Sequence, residues 1–186
     1  MSKYMALGFY FDMKRCVGCK VCQVACKDKN NLAEGVFFRR VISFYALAES
    51  EESDVSSLRN YSAACNHCEN PACVSVCPTG AIYKSDDGTV MQNRNRCIGC
   101  GACIWSCPYG ALSFSPQDGT SHKCDACADL RAKGENPACV DACLTHCLQF
   151  GDIDEFKKEF SDDMTQEIAI LPDAGQTNPS ILINNR

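Results

Sequence analysis

No stretch of this chain approaches the ~18 consecutive uncharged apolar residues that span a bilayer, so a link to a membrane is expected to come through a partner. The start, MSKYMALGFYFDMKRC, lacks the charged region, sustained apolar stretch and small-residue cleavage site of an export signal, and it has no twin-arginine pair. The expectation is a chain loaded in a reducing compartment, either cytoplasmic or exported already folded with a signal-bearing partner. Equally missing are a Gly-rich dinucleotide fingerprint, a phosphate-binding loop, a nucleophile–base pair and a recognisable motif of paired carboxylates. Substrate chemistry is therefore expected elsewhere, and the chain is read as non-catalytic by itself. Positive charge is also short: a net −5 argues against nucleic acid as a main partner.

Cysteine is what the chain has in excess. Of its 17 cysteines, sixteen fall into four clusters: Cys16, Cys19, Cys22 and Cys26; Cys65, Cys68, Cys73 and Cys77; Cys97, Cys100, Cys103 and Cys107; Cys124, Cys127, Cys139 and Cys143. The first and third have the bacterial ferredoxin spacing C-x2-C-x2-C-x3-C, in which three thiolates hold one [4Fe–4S] cube and the fourth reaches its neighbour. Four quartets predict four cubes and no substrate site. Each oxidised cube with four thiolates carries about −2, taking the loaded chain to roughly −13. Lys14, Arg15, Lys20, Lys27, Arg94, Arg96 and Lys123 flank the cysteines and are candidates to balance that charge.

The chief rival is zinc, which also takes four thiolates, in a zinc-stabilised interaction module without redox function. Zinc sites usually draw on two C-x2-C halves a dozen or more residues apart, whereas the first and third clusters each supply four cysteines within eleven positions. Cys147, the odd thiol, lies four residues after Cys143 and could replace it as ligand. The C-x3-C spacing from Cys139 favours Cys143. His67, between Cys65 and Cys68, is read first as a packed or exposed residue and second as a hydrogen-bonding tuner of a cube. Trp105 is expected to shield a cube from water, and His122 and His146 have no ligand spacing.

An internal repeat organises the middle of the chain, where CVSVCPTGAIY is answered thirty residues later by CIWSCPYGALSF. Pro78 or Pro108 ends a short helix, Gly80 or Gly110 makes a turn, and an apolar strand follows. Asp86-Asp87-Gly88 between Ile82-Tyr83 and Val90-Met91 predicts a hairpin. Residues 65–118 thus read as a complete two-cube unit, in which Cys107 completes the cube of Cys65, Cys68 and Cys73, and Cys77 that of Cys97, Cys100 and Cys103. By elimination, residues 1–64 and 119–160 form an outer unit, with Cys26 completing the cube of Cys124, Cys127 and Cys139, and Cys143 that of Cys16, Cys19 and Cys22. The fold class expected is α+β: two nested ferredoxin-like units, with short helices carrying the fourth cysteines and small antiparallel sheets. Gly8–Phe11 and Phe37–Tyr45 read as strands, 46–60 as a solvated acidic loop, and Ile153–Phe160 as a helix opened by an Asp152/Glu155 capping box. The segment 161–186, poor in apolar residues, is expected to be an extended tail docking on a partner.

With CVGCKVCQVACK, CNHCENPACVSVCPTGA, CIGCGACIWSCPYGA and KCDACADL…NPACVDAC in place, the chain resembles the iron–sulfur subunits of dimethyl-sulfoxide-reductase-type molybdoenzymes. Phe38-Arg39-Arg40, Phe150-Gly151 and Pro179-Ser180-Ile181-Leu182-Ile183 also follow that pattern, whereas Leu144 stands where proline is frequent. The resemblance implies a large catalytic subunit with a molybdenum or tungsten bis-pterin cofactor, and a quinol-oxidising membrane anchor or a soluble donor as second partner. It further implies that the Cys16 cube faces the catalytic subunit, that the Cys124 and Cys65 cubes follow, and that the Cys97 cube is the distal terminal. The alternatives are service to a hydrogenase or formate dehydrogenase, or a free polyferredoxin.

Overall fold

Side-chain alternation decides where the largest sheet forms and which face of it meets the cysteines. The computed structural model describes residues 6–46, 57–160 and 164–185. Along the first half run β1 (Leu7–Asp12), α1 (Val21–Lys29), β2 (Arg39–Ala46), β3 (Ser57–Ala64), α2 (Ala72–Ser75), β4 (Ile82–Lys84) and β5 (Val90–Gln92). There follow α3 (Ala102–Ser106), β6 (Leu112–Ser115), β7 (Thr120–Lys123), α4 (Ala128–Arg131), α5 (Ala138–Asp141), β8 (Leu148–Asp152), α6 (Ile153–Phe160), β9 (Met164–Thr165) and β10 (Ile181–Asn184). The strands form one four-stranded sheet, ordered β8-β1-β10-β9, and three two-stranded hairpins. This is the α+β architecture expected; among the described residues the one parallel pairing is β10 on β1, Phe9 opposite Ile181 and Phe11 opposite Ile183.

Period-two alternation places Phe9, Phe11, Ile181 and Ile183 in a core shared with Tyr61, Leu148 and six of the cysteines, Cys26, Cys65, Cys124, Cys139, Cys143 and Cys147. The opposite face presents Tyr10 and Leu182 to Ile153 and Phe156 of α6. That helix begins where the capping pattern puts it, with Asp152 Oδ1 accepting from the N–H groups of Asp154 at 2.7 Å and Glu155 at 3.2 Å. Gly8 is forced by proximity: a Cβ there would lie 2.1 Å from the Ser180 carbonyl oxygen.

The repeat is visible in the turns as well. β4–β5 and β6–β7 each close through Asp-Gly-Thr, with Gly88 and Gly119 at φ 77° and 67° and the preceding aspartate accepting from the following threonine N–H. The second hairpin runs to Lys123, so the break expected at residue 118 falls inside one element rather than between two units.

Three further expectations are corrected. Tail residues 181–184 fill the chain's own sheet, with Ile183 fully buried, because parallel pairing with β1 satisfies both their backbone and their apolar side chains. In the segment read as an acidic loop, Ala46 ends β2 and residues 57–60 begin β3, its antiparallel partner; 47–56 lie outside the described residues. The short helices carry mostly third cysteines, Cys73, Cys103 and Cys139, with the fourth placed just beyond the helix end; α1 alone holds a fourth, Cys26, together with Cys22.

Candidate metal centres

Cysteines on the short helices, just beyond their ends and in the loops leading into them gather where two such helices meet. α1 packs against α5 and α2 against α3, so each helix pair brings together clusters that are distant in sequence. Cys16, Cys19, Cys22 and Cys143 line one cavity, together with Phe11, Ser62 and Thr145. Cys77 lines a second with Cys97, Cys100 and Cys103. A third is lined by Cys65, Cys68, Cys73 and Cys107 with Asn66, Tyr109 and Thr177. Each gathers three cysteines of one sequence cluster and the fourth of another. Cys26, Cys124, Cys127 and Cys139 are all buried and within electrostatic range of one another, though no described cavity joins them.

Burial grades the four groups. Cys19 and Cys100 are exposed, whereas the group of Cys26, Cys124, Cys127 and Cys139 is buried throughout, and Cys65, Cys68 and Cys73 are buried beside a half-buried Cys107. Neighbouring groups touch in sequence: Cys22 lies near Cys139, Cys124 near Cys65, and Cys73 shares a core with Cys103.

Desolvation pushes the Cys26 and Cys73 thiols up to about 12 and Cys68 to about 11, and holds Cys124 well above its ordinary value. Without metal these thiols are neutral, so ligation must expel their protons. Nearer the surface, burial again opposes ionisation of Cys77 and Cys97. It is outweighed by backbone N–H groups of Ile82, Thr79 and Ala81 for Cys77, and by those of Ser121 and Gly99 for Cys97. Such N–H donors also stabilise a cluster thiolate. Among the described residues, no three His, Cys, Asp or Glu side chains converge as a single ion requires. The cysteines instead ring cavities, an arrangement that suits a cube.

Cys147 lines the first cavity, its Sγ 3.4 Å from that of Cys143. It also hydrogen-bonds Cys16, which is lowered by that bond while Cys147 is raised. His67 is fully buried at φ 46°. Its Nδ1 accepts the Val90 N–H at 3.0 Å, so the proton sits on Nε2, which has no partner. Exposure is thus excluded for His67. Trp105 departs from expectation: at 89% exposed it shields nothing within the chain. His122 pairs with Asp118 at 2.7 Å.

Of the flanking cations, Lys123 is buried, its Nζ bound to the carbonyls of Val90 and Cys124, while Lys14, Arg15, Lys20, Arg94 and Arg96 are exposed. Lys27 caps the carbonyls of Leu32, Ala33 and Val36. The cation that matters most was absent from that set: Arg39, 2% exposed, beside Cys22, Cys26, Cys124 and Cys139. A guanidinium in a strand-forming run, FFRRVISFY, was the available signal.

Two family models match, one described as 4Fe-4S dicluster domain over residues 57–153 and one as 4Fe-4S binding domain over residues 13–30. The sequence is 42% identical to the B subunit of the anaerobic dimethyl sulfoxide reductase of Escherichia coli (strain K12), over 95% of this protein and 87% of that one. It is 45% identical to the thiosulfate reductase electron transfer subunit PhsB of Salmonella typhi over 77% and 74%, and 36% identical to the B subunit of the polysulfide reductase of Wolinella succinogenes over 95% and 92%. Cysteine groups built for [4Fe–4S] clusters, and relatives that serve three different reductases, agree on one assignment: this protein belongs to the iron–sulfur electron-transfer subunits of the dimethyl-sulfoxide-reductase group.

Proposed function

We propose that the chain holds four [4Fe–4S] clusters through crossed quartets and carries single electrons between two protein partners. The quartets are Cys16, Cys19, Cys22 with Cys143; Cys124, Cys127, Cys139 with Cys26; Cys65, Cys68, Cys73 with Cys107; and Cys97, Cys100, Cys103 with Cys77. The observation that carries this reading is the trio of cavities, each lined by three cysteines of one sequence cluster and the fourth of another. When bound, each cluster supplies reversible one-electron chemistry and nothing more. The protein's part is to hold the thiolates, exclude water from the interior groups and supply the compensating charge.

The gradient of burial supports an order. The exposed Cys19 and Cys100 mark two ends, and the buried groups of Cys124 and Cys65 lie between them. On this reading the Cys16 end meets a large catalytic subunit with a molybdenum or tungsten bis-pterin cofactor, and the Cys97 end meets a quinol-linked membrane anchor or a soluble donor. Apolar side chains left open near each end, Val17, Val24 and Leu144 at one and Ile98 and Trp105 at the other, suit such contacts. The crossed helix pairs support one unit nested within another, with α1 and α5 as the outer pair. Among the described residues no helix is long and apolar enough to cross a membrane.

Purification of the intact complex tests the proposal. The expected result is about sixteen irons per copy of this chain, with matching acid-labile sulfide and a co-purifying bis-pterin subunit. A colourless, zinc-loaded protein overturns it.

A further inference from the structure

Arg39 is the most deeply buried charge in the described structure and has no carboxylate partner there. Its Nη1 donates to the Ser62 carbonyl oxygen at 2.9 Å and to Ser62 Oγ at 3.0 Å. Its guanidinium carbon sits 4.5 Å above the Phe9 ring. Those contacts fix the plane of the group and leave Nε and Nη2 buried without acceptors. Around it stand thiols of two different quartets, Cys22 from the first and Cys139, Cys124 and Cys26 from the second. Ser62 extends the network, because an Oγ that accepts from Arg39 keeps its own proton free for Cys22 Sγ, 3.4 Å away.

An isolated cation in a protein interior is strongly unfavourable unless an opposite charge or directed acceptors compensate it. No such charge is supplied by aspartate or glutamate here. Thiolate-bound clusters supply it on both sides, with sulfur acceptors for the two idle donors. We propose that Arg39 is a shared positioning residue for the Cys16 and Cys124 clusters: its charge favours the more negative, reduced state of both, raising their reduction potentials together, and its Nε and Nη2 protons hydrogen-bond sulfur of the Cys124 group. The proposal rests on the four-cluster reading above. Lysine is a poor substitute, since a compact ammonium lacks the planar fork that the Ser62 and Phe9 contacts orient.

The test is a redox titration followed by electron paramagnetic resonance on the intact reductase complex, with this chain wild type, R39Q or R39K. In R39Q two of the four midpoint potentials fall far enough to change the oxidised-to-reduced ratio at least tenfold at fixed ambient potential, about 59 mV for a one-electron couple. The Cys65 and Cys97 clusters, farther along the chain of neighbours, keep theirs. R39K moves the same two potentials by less, and iron content stays at the wild-type value. Any iron that R39Q does lose comes from those two clusters, read as the loss of their signals alone. Full iron with all four potentials unchanged overturns the proposal, as does an equal shift of all four. A wild-type complex resolving fewer than four clusters fails the underlying reading instead, before any variant is compared.

Discussion

Cys143 and Cys147 hold their Sγ atoms 3.4 Å apart on one wall of the cavity that also receives Cys16, Cys19 and Cys22. In the proposed assignment Cys143 is the ligand, as the spacing after Cys139 favours, and Cys147, whose thiol is pushed up chiefly by its bond to Cys16 and by burial, is left protonated. C147A is expected to keep the full iron content. C143A is expected to keep it as well, with an altered resonance signal, because Cys147 needs only a rotamer change to reach the same site. The double variant loses about four irons per chain, one cube. Iron and sulfide analysis of the three variants checks this; full loss in C143A alone contradicts the substitution.

Crossing of the quartets has its own signature. If Cys77 belongs with Cys97, Cys100 and Cys103, as the shared cavity indicates, C77S and C97S abolish the same resonance signal, and C107S abolishes the one lost in C65S. Sequential pairing predicts the opposite, C77S grouping with C65S. Each variant is expected to lose or convert one cluster of the four while the others retain their spectra.

How much of this was legible beforehand depended on how far apart the deciding residues lie. The β4–β5 hairpin and α6 are set by neighbours, Asp87-Gly88 in one and Asp152 in the other, and both stand where local chemistry put them. The cysteine spacings likewise carry their chemistry within a few residues. What escaped reading was non-local. Ile181–Ile183 is a short apolar run whose worth depends on a parallel partner at the other end of the chain, so it passed for a tail. Arg39 looks like one of two adjacent arginines until β3 covers it with Ser62 and β1 with Phe9. Trp105 adjoins Cys107 in sequence, which suggests a shield, but a helical neighbour of an inward residue can face outward, and it does.

The tail strand makes a stability claim. Ile183 is fully buried between β1 and the cysteine core, and Gly8 permits the close crossing that seats it. Truncating Ile183 to alanine is expected to cost about 2–5 kcal/mol, as for other large-to-small core changes. I183A therefore lowers the midpoint of visible-absorbance bleaching in guanidinium, while an exposed apolar residue, Tyr45→Ala, leaves it nearly unchanged. Equal, small effects of both would mean that β10 contributes little to the fold.

Asp87 ties the β4–β5 hairpin to α4. Its carboxylate accepts from Thr89 N–H at 2.9 Å and Thr89 Oγ1 at 2.7 Å, and pairs with Arg131 Nη1 at 2.7 Å. Partial burial works against its ionisation, but the Ser85, Thr89 and Arg131 bonds outweigh that and hold it far below the usual carboxylate range. A carboxylate with a depressed folded value binds fewer protons folded than unfolded, so its stabilisation is complete above the ordinary value near 4 and drains away as pH falls below that. D87N, which loses the charge, is therefore expected to be less stable by about 1–3 kcal/mol at neutral pH. The gap should be flat between pH 6 and 8 and narrow progressively below about pH 4. Unfolding of wild type and D87N followed in parallel by tyrosine fluorescence across that range is the measurement. A gap that widens on acidification would mean that the ion pair to Arg131 is not what stabilises the hairpin.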